Sequence, residues 1–368
     1  MDKERYSRNI KLAEIGEAGQ QKLLKTKVLV IGAGGLGCPV LHYLTAAGVG
    51  TIGIVDDDEV EKSNLQRQVL YKTSDIGLNK AKAAKKHLRD LNPDVQIEAI
   101  SERLTPKNAL RLFEKYDIIV DGTDNFSTRY MVNDACILTD KPLVSGAIYK
   151  FEGQVAVLNY QKSASYRCLF PKPPKQDLIP NCNEIGVLGI LPGIIGSLQA
   201  NEVLKMILGL KNVLKGQLLV YSALKNTMNV FEITKNEQEI QQIKDRKTFF
   251  ENTDYEVLCG VKDIFVEEIT VTDFLKNIDK NTAQIIDVRE KEELEQDPIT
   301  LDFKVEHIPL GKIQESLDRI EKEKKKIIFC QKGMRSLKAV KILRDHKIEN
   351  SVSLQGGASR LFNVLMKK

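Results

Sequence analysis

Residues 26–58, TKVLVIGAGGLGCPVLHYLTAAGVGTIGIVDDD, decide the fold. They read as a buried strand, a Gly-rich turn, an amphipathic helix and a second strand that ends in acids, which is one βαβ unit. The alternation continues through NKAKAAKKHLRDLNPDVQIEAI (79–100), ALRLFEKYDIIVDGTDN (109–125) and RYMVNDACILTDKPLVSGAIY (129–149). Strands alternating with helices predict a doubly wound, mostly parallel α/β sheet of the Rossmann type.

With 368 residues the chain is too long for one ordinary core. After GQVAVLNY (153–160), the polar, proline-rich stretch 171–186 resists periodic assignment and reads as a long loop. It leads into the apolar helix LPGIIGSLQANEVLKMILG (191–209). The apolar pattern then thins, and a second α/β alternation begins. The expected organisation is a nucleotide-binding domain over 1–240, a linker over 241–264 and a smaller α/β domain over 265–368.

Composition narrows the function classes. The chain is 42% hydrophobic and 29% charged with 11 prolines, as a folded enzyme would be. Its 55 basic and 50 acidic residues are well mixed, so the net charge of +5 gives no argument for nucleic acid. No apolar stretch is long and clean enough to span a bilayer, and the charged N-terminus lacks the core of a secretion signal. A cytosolic protein with reduced thiols is expected, since its six cysteines are scattered rather than arranged as a disulfide framework.

The glycines Gly32, Gly34, Gly35 and Gly37 stand between a strand and a helix, where a bare backbone lets phosphates approach a helix N-terminus. They would otherwise serve only close packing. Asp56, the first acid after the next strand, lies where a ribose-binding carboxylate belongs, and this much admits an NAD-dependent oxidoreductase. Asn64, Arg67 and Gln68, with Lys80 at a helix start, shift the reading toward a triphosphate. Arg and Lys neutralise charge on phosphoryl oxygens, which hydride transfer does not need. Asp121, Asp124 and Asn125 end a predicted strand at the edge where such sheets bind ligands. Asp124 there either holds Mg²⁺ against ATP or, like Asp121, caps the helix that follows.

Taken together, RYSRNI (5–10), GAGGLGCP (32–39), DDDEVEKSNLQRQ (56–68), GLNK (77–80), DGTDN (121–125) and PLVSGA (142–147) resemble the E1-like MoeB/ThiF adenylyltransferases that activate sulfur carrier proteins. The resemblance covers about residues 1–235. It implies ATP and Mg²⁺ as cofactors, Asp124 as the metal-binding and catalytic aspartate, Asp56 on the ribose, and Asn64, Arg67, Gln68 and Lys80 on the phosphates. It also implies a homodimer in which Arg8 reaches the other subunit's ATP site, and a partner that is a ubiquitin-like carrier ending in Gly-Gly.

Members of that family commonly carry paired C-x-x-C motifs that bind zinc. Here SYRCLF (165–170) keeps only Cys168 and DYEVLCG (254–260) only Cys259, too few ligands for a closed site, so no zinc is expected. Cys182, between asparagines in the long loop, matches a family cysteine that bonds to the carrier or exchanges persulfides; it reads equally as a loop thiol without a catalytic part.

Cys330 stands at the end of the apolar run KKIIF (325–329) and leads into a helix. Loop N–H groups, the helix N-terminus and Arg335 all favour a thiolate there, and a buried structural cysteine is not expected among such polar neighbours. The pattern C-x-x-G-x-R-S, with IIDVRE (285–290) before it and LQGGASRL (354–361) after, resembles the rhodanese sulfurtransferases over about 265–368. It implies a Cys330 persulfide cradled by residues 331–336 and loaded by a donor such as a cysteine desulfurase. The altered segment VEHIPLGKIQE (305–315) departs from that family's rim. Set against an adenylyltransferase with a sulfurtransferase tail are an NAD oxidoreductase and a non-catalytic carrier-binding scaffold.

Overall fold

The computed structural model describes the chain except residues 174–185, 260–266, 278–281, 297, 299–300, 302–303, 332 and 366–368. It divides into two compact units, Met1–Val261 and Lys262–Lys368.

The first unit is built on an eight-stranded sheet of β1 (Lys27–Ile31), β2 (Thr51–Val55), β3 (Gln96–Ile100), β4 (Ile118–Asp121), β5 (Leu143–Tyr149), β6 (Glu152–Leu158), β7 (Gln217–Ser222) and β8 (Thr227–Glu232), in the order β3-β2-β1-β4-β5-β6-β7-β8. The strands from β3 to β5 in that order are parallel and the remainder antiparallel. This is the doubly wound sheet expected from residues 26–58, with a meander added at one edge.

Alternation along β1 explains the two-sided burial. Val28 and Val30 enter one core with Leu41, Leu44 and Ile195, whereas Leu29 and Ile31 enter the opposite core with Phe113 and Tyr130. The register pairs Ile31 with both Val55 and Asp121, so the strand ends carrying Gly32, Asp56 and Gly122 lie side by side.

The stretch read as the start of a linker adds structure to this unit. Glu237–Asp245 and Tyr255–Leu258 are helices, and Phe250, Tyr255 and Cys259 are buried with Phe113 and Tyr130. The core therefore extends past residue 240. Among the described residues no helix is long and apolar enough to cross a membrane.

The second unit holds a parallel sheet of β9 (Glu268–Ile269), β10 (Ala283–Asp287), β11 (Glu306–His307), β12 (Lys325–Phe329) and β13 (Ser351–Leu354), ordered β11-β10-β12-β13-β9. Phe329 pairs with Asp287 across β12 and β10, which puts Cys330 beside the residues that follow β10.

Candidate active sites

A cleft of about 410 Å³ opens at the carboxyl ends of β1, β2 and β4 in the first unit. Its floor is the glycine turn, whose members divide the work. A Cβ on Gly37 would lie 2.0 Å from the Gly32 carbonyl oxygen, and Gly32 has φ +88° with the Gly122 oxygen 3.0 Å from a would-be Cβ. Those two are needed for the turn itself. Gly34 meets only Gln68 Nε2, at 3.6 Å, so its missing side chain leaves room within the cleft.

Asp56 is fixed by its own surroundings. Its Oδ2 accepts from Ala33 N–H at 2.7 Å and its Oδ1 from Asp58 N–H at 2.9 Å. Burial pushes its carboxyl upward, offset by the Ala33 N–H and by Lys80. Each oxygen keeps a lone pair that can accept a ribose hydroxyl. Asn79 bonds the Asp56 and Asp58 carbonyls and caps the helix Lys80–Leu91, which delivers Lys80 to the cleft wall. The Lys80 ammonium, 8% exposed, donates to Asp58 Oδ2 at 2.9 Å. Arg67 donates to the Ser63 carbonyl at 3.1 Å, and buried Gln68 presents an Oε1 with no hydrogen-bond partner. Both line the cleft.

At the end of β4 three side chains separate by role. Asp121 is fully buried; its Oδ1 accepts from the Thr123 N–H and hydroxyl, and its Oδ2 lies 3.7 Å from Arg129 Nε. Asn125, on the cleft wall, is the helix cap: its Oδ1 accepts from Thr128 N–H at 2.9 Å. Asp124 is exposed on the cleft wall and is not the capping residue. Arg129, from within the capped helix, donates to the Thr123 carbonyl at 3.1 Å and so holds the turn that carries Asp124.

The structure thus gathers Gly32, Gly34, Gly35, Asp56, Arg67, Gln68, Lys80, Asp124 and Asn125 around one cleft. It does not bring Arg8, Gly37 or Asn64 to that wall. Arg8 is exposed on the short helix Ser7–Ile10, and Asn64 turns its Oδ1 back onto Glu61 N–H at 3.2 Å, closing its own turn. Asp58 and Arg129 join the site beyond the residues expected from the sequence. The acidic run 56–58 signalled the first; nothing local signalled the second. The carboxylates of Asp56, Asp57 and Asp58 lie within 4.8 Å of one another, so with Asp124 the cleft offers hard oxygen donors that suit Mg²⁺.

Of the two thiols left from the C-x-x-C pattern, Cys259 is buried in the core and pushed up to about 11 by that burial. Cys168 accepts from the Ser165 and Asn236 N–H groups at 3.3 and 3.2 Å. Cys182 lies outside the described residues.

In the second unit Cys330 is 1% exposed. That corrects the expectation of an unburied thiol: the polar loop turns its backbone onto the sulfur, with Gly333 N–H donating to Sγ at 3.2 Å, and Ser336 Oγ, whose hydroxyl donates to the Gly333 carbonyl, lies 3.7 Å from Sγ. Behind it, a Cβ on Gly357 would lie 2.0 Å from the Cys330 oxygen, which accepts from Ala358 N–H at 2.8 Å. The glycines of 354–361 therefore let a second loop close on the first. Arg289, buried after β10, pairs with Asp287 at 2.8 Å and donates to Gln331 Oε1 at 3.2 Å. His307 Nε2 lies 2.8 Å from the Arg289 carbonyl oxygen, so the altered rim segment is tied to the turn after β10. Lys332 lies outside the described residues.

A glycine-floored cleft with basic side chains, and a cysteine held in an N–H-lined loop, define a nucleotide-binding protein with a sulfur-handling domain. The chain belongs to the ThiF family, whose profile matches residues 6–242, and a rhodanese-like domain matches 270–361. It is 49% identical over 264 residues to the sulfur carrier protein adenylyltransferase of Thermus thermophilus, covering 70% of this chain and 97% of that one. It is 40% identical over 356 residues to the adenylyltransferase and sulfurtransferase MOCS3 of Culex quinquefasciatus, covering 92% and 81%. It is equally 40% identical over 368 residues to the probable adenylyltransferase/sulfurtransferase MoeZ of Mycobacterium tuberculosis, covering 96% and 91%. The E. coli MccB structure shares the fold, with a TM-score of 0.58 at 23% identity over 64% of this chain and 73% of that one. The chain is an enzyme of the nucleotidyltransferase type that carries a sulfurtransferase domain.

Proposed function

We propose that the chain adenylates the C-terminal Gly-Gly carboxylate of a ubiquitin-like sulfur carrier, of the molybdopterin-synthase small-subunit or thiamine type, and then passes it sulfur from a Cys330 persulfide. The observation that carries this reading is the convergence of Arg67, Lys80 and Asp124 on one glycine-floored cleft. Asp56 would hold the ribose, and Gly34 would leave room for the phosphates, against which Gln68 and Arg67 stand. Mg²⁺, held by Asp124, would screen the charge of the triphosphate. Lys80 would leave the exposed carboxylate of Asp58 for the phosphates.

The carrier carboxylate attacks the α-phosphorus, the bond to the β-phosphate oxygen breaks, and pyrophosphate leaves. Most of the acceleration is positioning and charge stabilisation. The outer sulfur of the Cys330 persulfide then attacks the acyl carbon and AMP leaves, giving an acyl disulfide. A thiolate, Cys182 in this reading, attacks Cys330 Sγ and releases the thiocarboxylate, leaving a cysteine disulfide that an external thiol reduces. Arg335 supports the Cys330 sulfur, and a cysteine desulfurase is the class of donor that reloads it.

The reading includes a homodimer in which Arg8 of each copy serves the other's cleft. Supporting it, Arg8 is exposed and apart from its own cleft, and Tyr43 and Val69 present apolar surface at 58% and 69% exposure. Cytoplasmic placement belongs to the same reading. The test is isotope exchange between pyrophosphate and ATP, with each carrier type in turn. Exchange that requires a carrier supports adenylation and names the carrier; exchange with neither, alongside binding of NAD, would refute it.

A further inference from the structure

Beside Cys330, Arg335 is held in a two-bond ion pair by Glu293, with contacts of 2.5 and 2.6 Å, from the short acidic helix Lys291–Gln296. Both side chains are 30% exposed, so the pair sits at the rim rather than in the core. The other guanidinium at the loop, Arg289, is matched by the buried carboxylate of Asp287. Arg335 and Arg289 therefore each have a carboxylate of their own, whereas Arg360 on the facing loop donates to Gln355 Oε1 at 3.2 Å. The charge partner holds Glu293 down at about 2, so it remains ionised throughout the physiological range.

We propose that Glu293 is a specificity-determining residue for the sulfur donor: by neutralising Arg335 it disfavours small dianions such as thiosulfate and leaves the loop to persulfides. A dianion approaching Arg335 gains no uncompensated guanidinium there and meets the Glu293 carboxylate. A persulfide carries at most one negative charge and pays less of that repulsion. In the loading step the Cys330 thiolate attacks the outer sulfur of R–S–SH; the S–S bond breaks, R–S⁻ leaves, and Cys330 keeps the outer sulfur with its proton. The exchange is balanced without any further oxidant. This inference rests on the sulfurtransfer reading of Cys330.

The experiment compares full-length wild type, Glu293→Gln and Glu293→Asp with thiosulfate and with a low-molecular-weight alkyl persulfide as donors, cyanide being the acceptor. Glu293→Gln lowers the KM for thiosulfate about fivefold and shifts the persulfide KM less than about twofold. Glu293→Asp, which keeps the charge with altered geometry, retains the wild-type ratio of the two KM values. An unchanged thiosulfate KM in Glu293→Gln, a parallel shift for both donors, or an Asp variant that behaves like the Gln variant would overturn the inference while leaving sulfurtransfer by Cys330 in place. A wild type that transfers sulfur from neither donor would overturn both.

Discussion

The Arg167 guanidinium grips the Asp134 carboxylate through both oxygens, Nε to Oδ1 and a terminal nitrogen to Oδ2, each at 2.7 Å. Tyr255 adds its hydroxyl to Asp134 Oδ2 at 2.8 Å, and Arg167 lies 4.8 Å above the Tyr130 ring. Arg167 and Tyr255 belong to the segments around Cys168 and Cys259. In this chain a buried ion pair and a tyrosine hydroxyl join the same segments.

Removing one partner should cost stability. The pair is 13% and 7% exposed, so Asp134→Ala strands a buried guanidinium and is expected to destabilise the first unit by about 3–5 kcal/mol in denaturant unfolding. A chelator should leave the melting temperature of the wild type unchanged. A chelator-induced drop, with zinc recovered by metal analysis, would show that the ion pair is not the tie.

Asp124→Ala is expected to lower carrier-dependent ATP–pyrophosphate exchange on the order of a hundredfold or more, the scale of losing one charge-stabilising group. Sulfur transfer from a persulfide to cyanide should persist, because the thiol loop belongs to the other unit. Loss of both activities in a folded variant would contradict the division of labour. Cys330→Ala should show the reverse pattern.

Gly37→Ala places a methyl group 2.0 Å from the Gly32 carbonyl oxygen, which is backbone and has no rotamer to yield. The turn must rebuild, at a cost of about 1–3 kcal/mol, and nucleotide affinity should fall with it. Calorimetry with ATP and Mg²⁺ reads the affinity and thermal unfolding the stability. Gly34→Ala meets only Gln68 Nε2, at 3.6 Å. It should therefore keep its stability and lose affinity alone.

Thiol reactivity separates the cysteines by pH. Burial raises Cys259 to about 11, Cys38 to about 12 and Cys136 well above its ordinary range. All three stay protonated at pH 8 in the folded protein and should resist iodoacetamide until denaturant is added. As pH rises, Cys259 is expected to label before Cys38, read by peptide mass spectrometry. Rapid labelling of Cys38 at pH 8 would mean that the glycine-turn core opens readily.

Much of this was legible in the chain because period and punctuation agree. The apolar strand 27–31, the glycines and the acids at 56–58 specify a strand–turn–helix–strand unit by local rules, and the sheet follows from repeating it. The places of Asp56, Lys80 and Asp124 on the cleft were legible because each sits at a strand end or helix start. Residues acting through long-range contacts were not. Arg129 fixes the Asp124 turn from inside a helix, Glu293 finds Arg335 across 42 positions, and Asp134 joins Tyr255 across 121. The stretch 241–264 reads as a linker for a related reason. Its polar helix Glu237–Asp245 buries only Ile240 and Ile243, and the aromatic anchors Phe250 and Tyr255 stand in pieces too short to show a period.

The central claim is that ATP-driven activation and sulfur delivery act on one carrier carboxylate. The most direct measurement is the intact mass of a purified carrier after incubation with this protein, ATP, Mg²⁺ and a persulfide donor. The account predicts the gain of one sulfur for one oxygen at the carrier C-terminus, dependent on ATP and lost in both Asp124→Ala and Cys330→Ala. A carrier that gains sulfur without ATP, or one that is adenylated yet never acquires sulfur from the loaded wild type, would contradict it.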